Sequence, residues 1–150
     1  MRKHQFAFSR HCDADAATVM RLLDDVDNWA SWARPFALRA RWQTWGHATP
    51  AGPGAVRMLG APPVWIKELI LSHDDHGQTY TVISPPLFAS YLGQVTISES
   101  DLGGVDVDWR VAFTARFVGM GSFARTVLEV AVSGLLERLV SAAERDTRVG

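Results

Sequence analysis

Val105-Asp106-Val107-Asp108-Trp109-Arg110-Val111-Ala112-Phe113-Thr114-Ala115-Arg116-Phe117 is apolar at every odd position and polar at five of its six even ones. Side chains of a strand alternate between faces, so this segment reads as a strand with one side on a core and the other in water, the signature of an antiparallel sheet. Gly119 and Gly121 then open a loop, and Ser122 to about Arg145 follows with a polar row at Arg125, Glu129, Ser133, Glu137 and Ser141. That spacing predicts a long helix whose other side is apolar. Strand and helix each have one face to bury, and the simplest solution is to bury them against each other.

Upstream, Gly103-Gly104 turns back to a strand over Tyr91–Ser98, and Pro85-Pro86-Leu87 separates that from another over Gln78–Ser84. Asp74-Asp75-His76-Gly77 has hairpin-turn chemistry and joins it to a strand over Val64–Ser72. Gly60-Ala61-Pro62-Pro63 breaks the pairing before Ala55–Leu59, and the Gly/Pro-rich turn His47–Gly54 leads back to a strand over Ala37–Gly46. At the start, residues 4–12 alternate with Phe6 and Phe8 on one side; Asp13 is the expected cap of a short helix through Asp24 carrying Val19, Leu22, Leu23 and Val26. A second short helix places Trp29 and Trp32 on one face and ends at Pro35. The expected fold is α+β: one domain, residues 1–150, in which a curved seven-stranded antiparallel sheet wraps a long C-terminal helix, with two short helices between strands one and two.

Composition narrows the function. The chain has 150 residues, Lys+Arg 15 against Asp+Glu 16, 47% hydrophobic and 21% charged residues. That is too apolar for disorder, and no uninterrupted apolar run is long enough for a membrane span. A net charge of -1 with dispersed basic residues argues against a nucleic-acid partner. The N-terminal stretch has no apolar core before Asp13 and Asp15, and Cys12 is the single cysteine; together these predict a cytoplasmic protein without disulfides or a thiolate zinc site.

Six Trp, seven Phe and two Tyr exceed what a core this size needs, and point to a cavity between sheet and helix. Glu68 shares strand parity with Val64, Ile66 and Ile70, an otherwise apolar inward row. Two readings stay open for it: a structural ion pair with an arginine such as Arg57 or Arg10, or a ligand-binding or acid/base carboxylate whose pKa rises if desolvated alone. Tyr91, in phase with Gly93, Val95 and Ile97, is either a core tyrosine or a second polar group facing Glu68. Arg57 is expected at the pocket rim. Trp42, Tyr80, Val82, Trp109 and Phe113 are the expected walls, with Leu59, Phe88, Phe123 and Val127 completing the lining. The mouth is expected at Gly60–Pro63, Pro85–Phe88 and Gly119–Phe123, where glycines beside prolines let a loop move as a unit. Trp29 and Trp32 read as packing. His73-Asp74-Asp75-His76 lies in a hairpin where solvated charge is expected and is read as no metal site; Cys12 reads as a small buried hydrophobe. No cofactor is implied.

The order of elements, together with Asp25-Val26-Asp27-Asn28-Trp29-Ala30-Ser31-Trp32, Gly54-Ala55-Val56-Arg57, Glu68, Tyr91 and Trp109, resembles the polyketide cyclase/dehydrase and lipid-transport family of the START-like (SRPBCC) superfamily, over Phe6 to about Glu144. The resemblance implies a helix-grip fold and a ligand-binding pocket. Its members include lipid carriers, aromatase/cyclases, hormone receptors and allergens, so it does not name the occupant. Leu59–Pro63, Glu68 and Tyr91 are also similar to the gate loop, buried glutamate and buried tyrosine of plant abscisic-acid receptors. The gate here has Ala-Pro-Pro in place of Gly-Leu-Pro and no counterpart of the receptors' buried lysine, so abscisic acid is not implied. Two functions follow as expectations. One is a carrier or sensor, monomer or homodimer and without stable membrane insertion, that holds a small hydrophobic molecule such as a lipid, polyketide or isoprenoid. The other is a cyclase/dehydratase that moves protons with Glu68, Tyr91 and Arg57 as catalytic candidates.

Overall fold

A computed structural model describes residues 2–61 and 64–149. Strands β1 (Lys3–Cys12), β2 (Arg39–Thr44), β3 (Val56–Ala61), β4 (Val64–Asp74), β5 (Gly77–Ser84), β6 (Phe88–Glu99) and β7 (Val105–Ala115) form one sheet in the order β1-β7-β6-β5-β4-β3-β2. Every neighbouring pair is antiparallel. Helix α1 (Ala16–Asp24) and a 3-10 helix (Val26–Ser31) stand between β1 and β2, and α2 (Gly121–Val149) follows β7. The expected curved sheet with its long C-terminal helix is the observed architecture.

The alternation of β7 sets the core. Val105, Val107, Trp109, Val111 and Phe113 are all buried, and in register across the β1 ladder lie Cys12, Arg10, Phe8, Phe6 and His4. The strand ends at Ala115, two residues short of the expectation, and Phe117 is exposed in the loop beyond. Strand β6 begins at Phe88 instead of Tyr91, because a register shift between Phe88 and Ser90 lets the ladder with β7 continue to the residue pair Phe88 and Ala115, just short of the prolines.

The cap of α1 is Asp15, not Asp13. Its carboxylate accepts the Thr18 N–H at 2.8 Å, whereas Asp13 Oδ1 meets His11 Nε2 at 2.8 Å. The following helix tightens to 3-10 geometry and is anchored by Trp29, whose Nε1 donates to the carbonyls of Leu22 and Leu23, both at 3.1 Å. Those carbonyls belong to the last turn of α1, where intrahelical donors run out.

Helix α2 is packed unevenly. Val132, Leu135, Leu136, Leu139, Val140, Ala142 and Ala143 are buried, yet none of residues 121–131 is, although Phe123, Ala124, Val127, Leu128, Val130 and Ala131 are apolar. The sheet therefore grips the C-terminal half of the helix closely and the N-terminal half loosely.

Candidate functional site

Strands β3 and β4 are joined in a register that makes Arg57 and Glu68 direct partners, and strand parity turns both toward the side of the sheet that carries Ile70. Arg57 is fully buried and Glu68 is 7% exposed; Arg57 Nε donates to Glu68 Oε1 at 2.7 Å. Arg57 is thus deep in the protein and not at a rim. Of the two arginines considered for Glu68, Arg10 lies elsewhere, 3.6 Å from Glu137.

The guanidinium is held between two aromatic faces, 5.0 Å from the Trp29 ring centroid and 4.6 Å from that of Tyr80. Aromatic quadrupoles stabilise a desolvated cation, which explains how a charge with one carboxylate contact is tolerated here. Its remaining donors, Nη1 and Nη2, are buried and have no hydrogen-bond partner among the described residues. Trp29 belongs to this site, although its spacing from Trp32 signals only helix packing; the one clue in the sequence was its place in the motif before Pro35.

From Tyr80 an aromatic file continues to Tyr91, Phe88 and Phe113. Tyr80 lies 6.2 Å from Tyr91, Tyr91 lies 5.0 Å from Phe88 and 6.4 Å from Phe113, and Phe88 meets Phe113 edge-on at 5.4 Å. Trp109 Nε1 donates to Tyr80 Oη at 2.9 Å. Gly93 leaves room for this arrangement, since a Cβ there would run into the Tyr80 ring. Burial is the main cause that raises the pKa of both Tyr80 and Tyr91, with Glu68 adding to it, so both phenols stay protonated.

Trp42, Leu59, Val82 and Phe88 are half-buried and pack against this core; Trp42 is fixed by Nε1 to the Asp24 carbonyl at 2.8 Å. Phe123 and Val127 are not brought in with them, being 73% and 49% exposed on the loose half of α2. Of the expected mouth, Pro62 and Pro63 lie outside the described residues. Away from the site, His73 Nε2 meets Asp24 Oδ1 at 2.9 Å, and no cluster with metal-ligand geometry occurs among the described residues. Burial raises the pKa of the Cys12 thiol, which keeps it protonated.

Residues 3–144 match the family described as polyketide cyclase / dehydrase and lipid transport. Curated proteins gave no match. Among solved structures, a START superfamily protein from Mycobacterium smegmatis superposes with a TM-score of 0.76 at 10% identity, over 95% of this chain and 98% of that one. Ara h 8.0201 superposes with a TM-score of 0.75 at 15% identity, over 95% and 98%. The di-domain ARO/CYC StfQ from the steffimycin biosynthetic pathway gives 0.76 at 15% identity over 97% of this chain, which spans 52% of that protein. At such identities these likenesses establish the fold alone.

Proposed function

Because this chain belongs to the polyketide cyclase/dehydrase and lipid transport family, we propose that it binds one mostly apolar small molecule between the sheet and the loose half of α2, as a carrier or sensor, with Arg57 holding an oxygen of that molecule. The observation that carries this reading is the pair of unpartnered donors on Arg57. A buried donor left without a partner costs about 1–3 kcal/mol. An incoming carbonyl or carboxylate oxygen would recover that loss. Charge-assisted hydrogen bonds to a planar fork also fix the acceptor's orientation. The rest of the molecule would lie along Tyr91, Phe88 and Phe113, where the protonated phenol of Tyr91 offers one further hydrogen bond. The unpacked first half of α2 supports passage of the molecule, since few buried contacts must break for that segment to move.

The test is native mass spectrometry of the purified protein, followed by extraction and identification of any bound molecule. Arg57→Lys keeps the charge but not the fork, and should reduce retention of an oxygen-bearing apolar ligand by tenfold or more. A folded Arg57→Lys variant with undiminished retention would overturn Arg57 as the anchor.

A second reading, a cyclase or dehydratase, is favoured by one detail: Glu68 keeps Oε2 outside its contact with Arg57. A carboxylate beside a fixed cation has the means to take a proton from carbon while the cation stabilises the oxyanion that forms. Glu68→Gln separates the two readings, since a carrier would retain binding and an enzyme would lose turnover of a poly-β-keto thioester while still binding it.

A further inference from the structure

We propose that the start of α2 is an anion site, built to hold a phosphate monoester or a similar oxyanion, at a place separate from the Arg57 region. A hollow of about 330 Å³ opens there, lined by Arg2, His4, Arg116, Gly119, Gly121 and Ser122 among others, and none of its lining residues is acidic. The first hydrogen bond of the helix runs from the Ala124 N–H to the Met120 carbonyl at 2.9 Å, so the N–H groups of Gly121, Ser122 and Phe123 precede any intrahelical acceptor. A helix of 29 residues concentrates positive potential at that end. Arg2 and Arg116 reach the hollow from the start of β1 and the end of β7, and neither pairs with a carboxylate among the described residues.

The independent observation is His4. Its side chain lies in the lining although the residue is only 7% exposed, stacked on Phe113 at 5.2 Å, and Nδ1 is buried without a partner. Its Nε2 abuts the first residue of the helix, where a Cβ in place of Gly121 would collide with it. An imidazole whose buried Nδ1 has no partner, set against a helix N-terminus and two guanidinium groups without a carboxylate partner among the described residues, makes a concavity rich in donors and without an acidic side chain. An oxyanion supplies the acceptors: helix N–H groups and the Ser122 hydroxyl on one side, arginine forks on the other.

The same phosphate chemistry occurs on a soluble ester and on a lipid headgroup, and the test separates these sources. Inorganic phosphate, then glycerol phosphate, is titrated into the ¹⁵N-labelled full chain at constant ionic strength. Saturable shifts of the Gly121, Ser122 and Phe123 amides, weakened at least tenfold by Arg2→Ala with Arg116→Ala, are expected. Both arginines are exposed, so these variants should fold, and Ser122→Ala is a second, milder probe. Flotation with phosphatidylcholine vesicles, with and without phosphatidic acid, identifies the source: capture only with phosphatidic acid assigns a headgroup, and no capture with saturable glycerol phosphate assigns a soluble ester. Shifts that fail to saturate, that chloride reproduces, or that survive loss of both arginines would overturn the site.

Discussion

Arg57 and Glu68 are cross-strand partners in the β3–β4 ladder, linked Nε to Oε1 at 2.7 Å, and Glu68 is the single carboxylate that the buried guanidinium meets among the described residues. Removing one member of a buried pair strands the other, at a cost of about 3–5 kcal/mol, whereas removing both can be nearly neutral. Arg57→Met should therefore destabilise strongly, and Arg57→Met with Glu68→Leu should recover most of the loss. Urea unfolding of the singles and the double measures this; purely additive losses would contradict the buried pair.

The uneven grip on α2 predicts uneven sensitivity. Leu136→Ala, at a fully buried position, should cost about 2–5 kcal/mol, whereas Val127→Ala, half in solvent, should stay within about 0.5 kcal/mol. Equal losses in denaturant titrations would mean that the first half of α2 is packed in solution.

Gly93→Ala should force the Tyr80 ring aside, at a cost of about 1–3 kcal/mol for overpacking, and weaken the Trp109–Tyr80 hydrogen bond. The indole N–H resonance of Trp109 reports the second effect; an unshifted resonance in a folded variant would show that the strand yields instead of the ring.

His11 gives a pH dependence of definite sign. Hydrogen bonds first to Asp13 and then to Asp106 raise its pKa above 6.5. The folded state therefore favours the imidazolium, and this contribution is fully present below about pH 6.5 and fades as pH climbs through the folded value. Wild type should lose stability relative to His11→Gln between pH 6 and 8.5. A difference that stays constant over that range would mean that the contacts do not bias the proton.

The elements with strict periods were legible in the sequence. The β7 alternation and the α2 polar row each determine a face, and the order from β2 to β7 follows from connections short enough for a neighbour, whereas the pairing of β1 with β7 joins distant parts of the chain and has no such local signal. Glu68 was placed by parity in the same way. What escaped was whatever depends on approach between distant segments. Trp29 lies 28 residues before Arg57 in the chain and covers it only because the 3-10 helix folds back, and no local pattern encodes that. Phe123 and Val127 belong to the expected lining, but a helix gripped over one half leaves the other half free to show apolar side chains to water. Asp13 and Asp15 both suit a cap, and the choice was made by His11, which engages the first of them.

The small residue beneath Tyr80 reaches further than its own strand. With Gly93 below its ring and Trp109 on its hydroxyl, Tyr80 has little freedom, and Trp29 is likewise pinned by its indole nitrogen. The guanidinium near both rings, tied by Nε to Glu68, is therefore held in position by its own surroundings. Little rotamer entropy would then remain to be lost on the proposed binding, and discrimination would fall to direction. On the proposed reading, an acceptor that reaches Nη1 and Nη2 together answers both unpartnered donors, while one that reaches a single donor leaves the other unpaired.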